Sequence, residues 1–194
     1  VRDPQGFRPL CLGKTENGYV LSSESCAFDA IKAEFIRHID PGEMVIIDDS
    51  GVRSTIYAEP EKIDKKLCVF EYIYFARGDS HIDGQSVYQS RLNMGRELYN
   101  ETKYDADIVM SIPDSGTTAA LGYARASGIP FAEGLVKNRY SGRTFIKPNQ
   151  EERELAVRMK LNALPHIVGG KRIVLIDDSI VRGTTSGIIV KMLK

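Results

Sequence analysis

The sequence predicts an α/β protein in which a parallel sheet follows a stretch of antiparallel strands. Two segments in its second half, 107–126 and 172–193, repeat the order apolar strand, polar loop, helix. This order is typical of parallel sheets, whose buried strands are continuous apolar runs joined through helices. The first third instead carries hairpin signals, of which Asn17-Gly18 is the strongest.

The composition excludes two classes of partner. The 194 residues include 26 basic and 26 acidic side chains, so the formal net charge is zero, whereas nucleic-acid binders show a basic excess. No apolar run approaches the ~20 residues of a membrane span. The three cysteines (Cys11, Cys26 and Cys68) lack Cys-x-x-Cys spacing, which favours a reduced, cytoplasmic setting.

The first 66 residues supply antiparallel strands and one helix, too little to close a core of their own. Strands are expected at 10–13 and 19–22, and a helix at 25–37 with Phe28, Ile31 and Phe35 on one face. The tetrapeptide Ile47-Asp48-Asp49-Ser50 precedes Gly51, and we interpret it as a hairpin turn.

The later segments alternate between predicted strands and helices. A core strand is expected at 68–77, which is dense in aromatic and β-branched residues. Beyond it the pattern predicts helices at 87–99, 119–126 (with Gly122 at a close contact) and 151–164 (with Leu155, Met159 and Leu161 in the core), and strands at 107–112 and 129–136.

The segment 172–189 carries the clearest chemistry. Ile173 to Ile176 forms a buried strand, and Asp177 and Asp178 follow at once. Adjacent carboxylates repel by about 1 kcal/mol at 4 Å in water, so sugar hydroxyls or Mg²⁺ are expected beside them. A glycine and three hydroxyl residues at the start of a helix can hold a phosphate (Gly183, Thr184, Thr185 and Ser186). Together these groups describe a ribose-5-phosphate site.

A second polar loop, Pro113-Asp114-Ser115-Gly116-Thr117-Thr118, also joins a strand to a helix. A helix cap alone would explain it, and so would a loop that binds an anion.

The run Asp-Asp-Ser-Ile-Val-Arg-Gly-Thr-Thr-Ser at 177–186 resembles the phosphoribosyl pyrophosphate (PRPP) motif of type I phosphoribosyltransferases. Its form is similar to that of the amidophosphoribosyltransferases, the glutamine-dependent branch that opens purine synthesis. The resemblance implies that Asp114–Gly116 form the pyrophosphate loop, and that Ser115, Asp177 and Asp178 are ligands of Mg²⁺. The PRPP contacts that it implies are Asp114, Ser115, Gly116, Asp177, Asp178, Ser179, Arg182, Gly183, Thr184, Thr185 and Ser186.

The segment 137–146 holds three cations, a tyrosine and a glycine, which do not suit a core. A solvated basic loop is the simplest interpretation. The resemblance instead implies a flexible lid over PRPP, with Lys137, Arg139 and Tyr140 as its catalytic residues.

Residues 2–10 and 22–29 resemble the last third of the family's glutaminase domain. The resemblance implies a class II amidotransferase remnant at 1–66, of the N-terminal-nucleophile kind, and a phosphoribosyltransferase domain at 67–194, truncated at its C-terminus. It implies an internal fragment without glutaminase activity, since the nucleophilic cysteine lies upstream in the family. Cys68 is similar to a ligand of the [4Fe–4S] cluster that some full-length members carry.

The resemblance implies attack of ammonia from glutamine on C1 of PRPP, with pyrophosphate as the leaving group. It also implies purine nucleotides as feedback inhibitors and a homo-oligomer, either a dimer or a tetramer. Two alternatives stay open, which are a PRPP-sensing regulator and a fragment that binds PRPP without turning it over. The regulator would need a basic DNA-binding segment, and none is visible in the sequence.

Overall fold

The computed structural model describes residues 1–138, 140, 157–180 and 183–194. The chain divides into two compact units, Val1–Ser90 and Arg91–Lys194. The predicted domain boundary after residue 66 stays a prediction. In the described residues, no helix has the length and apolar character needed to cross a membrane.

The first unit is built from antiparallel strands, and both predicted hairpins are confirmed. One sheet has the order β2-β1-β3, β4 pairs with β5, and β6 pairs with β7. The strands are β1 (Cys11–Thr15), β2 (Gly18–Ser22), β3 (Glu34–His38), β4 (Glu43–Asp48), β5 (Gly51–Ile56), β6 (His81–Ile82) and β7 (Gln85–Ser86), and the helical segments are α1 (Cys26–Ala30), a 3₁₀ turn (Pro60–Lys62) and a π-helical turn (Glu71–Phe75).

The predicted helix at 25–37 is wrong beyond its first turns. Helix α1 ends at Ala30, and Lys32 adopts a left-handed φ of 55° that redirects the chain. Phe35 then lies in β3, where pairing with β1 satisfies the backbone. Non-local strand pairing therefore overrides the helical spacing of Phe28, Ile31 and Phe35.

The predicted core strand at 68–77 is also wrong. Its centre is the π-helical turn, and Phe70, Tyr74 and Phe75 are exposed. The buried residue of the turn is Glu71, whose carboxylate lies 2.7 Å from the guanidinium of Arg8. The aromatic residues of this segment therefore do not predict its burial, because the charged Glu71 takes the buried position instead.

The second unit contains the predicted parallel pair. Strands β8 and β11 run side by side in register from Ile108 opposite Ile173 to Ser111 opposite Ile176. Phe131 adds a parallel bridge to Val109, on another neighbouring segment. The strands are β8 (Ile108–Ser111), β9 (Leu135–Lys137), β10 (Leu161–Ala163) and β11 (Ile173–Ile176), and the helices are α2 (Val87–Glu101, which begins in the first unit), α3 (Thr117–Ser127), α4 (Pro165–Val168) and α5 (Thr184–Leu193).

Helices α2 and α3 pack against each other through glycine. A Cβ atom at Gly122 would lie 2.1 Å from the carbonyl oxygen of Leu92, and one at Gly95 would lie 1.9 Å from that of Ala119. Neither position accepts a side chain, so the predicted close contact at Gly122 is confirmed.

Two predicted elements of this unit differ in the structure. The strand expected at 129–136 is broken into the bridge at Phe131 and β9, which pairs antiparallel with β10. The helix expected at 151–164 is helical at 157–160 and then becomes β10, so the buried Leu161 is a strand residue. Met159, predicted in the core, is 56% exposed, and Leu155 lies outside the described residues.

Candidate functional site

The two predicted loops lie side by side at the carboxyl ends of β8 and β11. The amide of Ile112 donates to the carbonyl oxygen of Ile176 at 2.9 Å. A Cβ atom at Gly116 would lie 2.9 Å from that same oxygen and 3.3 Å from the Cα atom of Asp177. Only glycine fits this contact, and the edge of a parallel sheet where two such loops meet is a common ligand position.

The first loop is held by its backbone and by two hydroxyls. The amide of Thr117 donates to the carbonyl oxygen of Asp114, and the Oγ of Ser111 lies 3.1 Å from the Oγ1 of Thr117. The peptide bond between Pro113 and Asp114 is cis. Helix α3 begins at Thr117, and Ser115 is half-buried just before it. Amide groups in the first turn of a helix attract anions.

A cavity of about 470 Å³ opens beside this loop. Lys137, at the end of β9, reaches into the same space, and its Nζ lies 2.5 Å from Oδ2 of Asp114. The lining residues are Ser111, Pro113, Asp114, Thr117, Glu133, Leu135, Val136, Lys137 and Asn138. The fold therefore brings one predicted lid residue to the predicted pyrophosphate loop.

The acid pair follows β11 directly, and both carboxylates are half-buried. The amide of Asp178 donates to Oδ1 of Asp177 at 2.9 Å, and the hydroxyl of Ser179 donates to Oδ1 of Asp178 at 2.7 Å. Burial raises the pKa of the Asp177 carboxyl, and the adjacent charge of Asp178 raises it further. Within the described ranges neither aspartate forms an ion pair with a basic side chain.

This uncompensated charge fits ligands that bring hydroxyl donors or a hard cation. No cluster of three His, Cys, Asp or Glu side chains that could hold a metal occurs among the described residues. Mg²⁺ does not require one, because it is usually held by one or two carboxylates together with waters and substrate phosphates. The acid pair therefore fits Mg²⁺ that enters with a phosphorylated ligand.

The start of α5 is the third part of the predicted site. Gly183 has a left-handed φ of 70°, and the amide of Gly187 donates to its carbonyl oxygen at 2.8 Å. Thr185 is exposed and Ser186 is half-buried in the first turn. The amides ahead of Gly187 have no partner within the helix and can bind a phosphate.

Several predicted residues stay untested by the geometry. Arg139 and Arg182 lie outside the described residues, and so does the side chain of Thr184. Tyr140 is 99% exposed. Cys68 lies in the first unit, and three cysteines are one short of the four thiolates that a [4Fe–4S] cluster takes.

Four polar residues that line the cavity had no predicted role of their own. Ser111 and Thr117 flank the loop and face each other, a relation that their places at the end of a strand and the start of a helix could have indicated. Glu133 comes from a segment whose path depends on the pairing of β9 with β10, and no local signal marks it. Asn138 lies in the predicted lid segment 137–146, but no role was predicted for it.

Comparison with known proteins gives one consistent family, although no protein-family model matches the chain. The amidophosphoribosyltransferase of Archaeoglobus fulgidus is 55% identical over 193 residues, covering 100% of this chain and 42% of that protein. The enzyme of the same name from Bacillus subtilis is 52% identical, covering 99% of this chain and 40% of that protein.

A solved structure of the B. subtilis glutamine PRPP amidotransferase, complexed with ADP and GMP, matches with a TM-score of 0.89 and 52% identity. The match covers 98% of this chain and 42% of that one. The chain thus spans about two fifths of the length of the relatives it matches. Over all of its own length, the chain belongs to the amidophosphoribosyltransferase family.

Proposed function

We propose that this chain carries the PRPP site of an amidophosphoribosyltransferase. In the reaction, ammonia released from glutamine attacks C1 of PRPP and pyrophosphate leaves, which yields 5-phosphoribosylamine, the first intermediate of purine biosynthesis. The C1–O bond to pyrophosphate breaks, a C1–N bond forms, and the new amine loses one proton to solvent. The observation that carries the proposal is the contact between the loop at Gly116 and the acid pair at Asp177.

The three parts of the site match the three parts of the substrate. Asp177 and Asp178 accept hydrogen bonds from the ribose hydroxyls, directly or through Mg²⁺. Ser179 and residues 182–186 hold the 5-phosphate at the start of α5. The loop Asp114–Gly116 and the lid residues Lys137, Arg139 and Tyr140 take the pyrophosphate, whose negative charge grows as it leaves.

Catalysis in this arrangement comes from position and charge. Glycosyl transfer at C1 develops oxocarbenium character, and groups that stabilise the departing pyrophosphate lower the barrier. Mg²⁺, held by Ser115 and the acid pair, would neutralise part of the pyrophosphate charge. Neutral ammonia is itself the nucleophile, so no strong general base is required.

The partners follow from the family and from the solved relative. The ammonia would come from glutamine, released by a glutaminase domain, with Cys68 as a cluster ligand in a longer protein. The B. subtilis relative was solved with ADP and GMP, which supports purine nucleotides as feedback inhibitors here. We also propose that the protein is a dimer or tetramer and is located in the cytoplasm.

The test is release of pyrophosphate from PRPP by this chain, in the presence of Mg²⁺ and ammonium chloride at pH 8. We expect release that depends on both ammonia and Mg²⁺, and that falls by more than about a hundredfold in Asp177→Asn/Asp178→Asn, because two charged hydrogen-bond acceptors are lost. Binding of PRPP without turnover would favour the alternative of an inactive PRPP-binding chain. Failure of the folded chain to bind PRPP would contradict the proposal.

A further inference from the structure

The ion pair between Asp114 and Lys137 has a consequence for substrate choice, and it rests on the proposed function. One cation and two carboxylates line the same cavity in the described part of the chain: Lys137, Asp114 and Glu133. The lysine that should bind pyrophosphate is already paired with a carboxylate. We infer that Asp114 makes the site select pyrophosphate groups that carry Mg²⁺ over groups that do not.

The geometry leaves the Asp114 carboxylate able to change partner. Its only partner in the described ranges is Lys137, at 2.5 Å, whereas the turn itself is held by the Asp114 backbone carbonyl. Both side chains are well exposed, 75% for the aspartate and 48% for the lysine. An exposed pair of this kind contributes little to stability, so it opens and closes readily.

A metal-free pyrophosphate meets two obstacles in this cavity. It has to separate Lys137 from Asp114, and it then lies beside the bare carboxylates of Asp114 and Glu133. Like charges repel in water, and the repulsion grows where solvent is scarce. The Asp114 carboxylate therefore competes with metal-free pyrophosphate for Lys137.

A pyrophosphate that carries Mg²⁺ removes both obstacles. The hydrated cation gives the Asp114 carboxylate a new positive partner, which releases Lys137 to a phosphate oxygen. The Asp114 carboxylate thus opposes binding of metal-free pyrophosphate and favours binding of its Mg²⁺ complex. When the product leaves, the ion pair can form again and limit rebinding of metal-free pyrophosphate.

The experiment is calorimetric titration of the chain with inorganic pyrophosphate, once in excess Mg²⁺ and once in EDTA. Asp114→Asn should bind metal-free pyrophosphate about three- to tenfold tighter than the unmodified chain, because an exposed ion pair and a repulsive charge are removed. Its affinity for the Mg²⁺ form should stay equal or fall, so the ratio of the two affinities drops at least about threefold.

The matched control is Asp105→Asn. Asp105 is also an exposed aspartate paired with a basic side chain, Arg172, but it precedes β8 and so lies at the opposite end of that strand from the loop. This variant changes the net charge equally and should keep the affinity ratio of the unmodified chain. Thermal unfolding of both variants checks that they fold.

An unchanged ratio in Asp114→Asn, or an equal loss of affinity for both forms, overturns this inference and leaves the proposed function in place. Absence of any Mg²⁺-pyrophosphate binding by the unmodified chain overturns the proposed function, and this inference with it.

Discussion

The tetrapeptide Ile-Asp-Asp-Ser occurs twice in this chain, once at 47–50 and once at 176–179. The first copy turns the antiparallel hairpin of β4 and β5, where Asp48 lies opposite Gly51. The second copy ends the parallel strand β11, next to the loop at Gly116. Identical residues therefore stand in two different backbone settings.

The two settings move the acidity of the aspartates in opposite directions. At the hairpin, the side chain and amide of Ser50 donate to Asp48, Arg53 pairs with it at 2.7 Å, and these contacts lower its pKa. At β11, burial and the charge of Asp178 raise the pKa of Asp177. In the first copy, Asp48 has a basic partner in Arg53, whereas in the second copy neither aspartate pairs with a basic side chain of the described residues. The tetrapeptide alone therefore does not distinguish a hairpin turn from the proposed binding site, whereas the charge environment of its aspartates does.

Replacement of Glu43 should give a large change in stability, and it tests whether the hairpin copy is purely structural. Its buried carboxylate, at the start of β4, accepts two hydrogen bonds from Arg37, which lower its pKa to about 2. Glu43→Gln should reduce the free energy of unfolding by about 2 kcal/mol at pH 7, after allowance for the exposure of Arg37. Urea unfolding measures this loss.

The pH dependence of the free energy of unfolding shows in which direction ionisation of Glu43 changes the stability. Because the pKa of Glu43 is lowered in the folded state, the unmodified chain should lose this contribution as the pH falls from about 4.5 towards about 2. Glu43→Gln should lack that part of the loss, and PRPP affinity should not change at neutral pH. Reduced PRPP affinity in a folded Glu43→Gln chain would contradict the division between the two regions.

Gly116 tests the contact that defines the second region. Gly116→Ala places a Cβ atom 2.9 Å from the carbonyl oxygen of Ile176, so the loop and the end of β11 must separate. We expect a loss of about 1–3 kcal/mol in stability from this overpacking, together with weaker PRPP binding. Gly78→Ala is the control, because a Cβ atom there meets nothing within 4 Å. Equal stability and equal PRPP affinity of the two variants would show that the loops need no close approach.

Single aspartate replacements should give the smallest changes in Tm, and these changes should differ between the two copies. Asp177→Asn removes a charge whose raised pKa shows that ionisation costs stability, so the Tm should rise by about 1–3 °C at pH 7. The gain should vanish at acid pH, where Asp177 is protonated in the unmodified chain. Asp48→Asn should give no rise, since the lowered pKa of Asp48 shows that its charge is favourable. A higher Tm in Asp48→Asn would remove the contrast.

Local patterns were sufficient for the parts of the fold that local chemistry decides. Asn17-Gly18 predicted the first hairpin, and the apolar run before Asp177 predicted a strand of a parallel pair. The resemblance at 177–186 predicted the family that the relatives show. These features depend on backbone propensity or on one continuous motif.

The errors lie where distant contacts decide the structure. Phe35 follows helical spacing but pairs as a strand, and Leu161 lies within the predicted helix 151–164 but forms β10 opposite Lys137. The contact of Lys137 with Asp114 joins residues 23 positions apart, so the pattern of neither segment contains it. Pairing partners of this kind have no local signature that a single sequence could reveal.

The most direct test of the central claim is calorimetric titration with PRPP and Mg²⁺ of three chains: the unmodified one, Asp177→Asn/Asp178→Asn and Asp48→Asn/Asp49→Asn. The two double variants make the same change in the same tetrapeptide. We expect the affinity of Asp177→Asn/Asp178→Asn to fall by about a hundredfold or more, and that of Asp48→Asn/Asp49→Asn to match the unmodified chain. Equal affinities in all three chains, or a loss confined to the hairpin variant, would contradict the assignment of the site to β11 and α5.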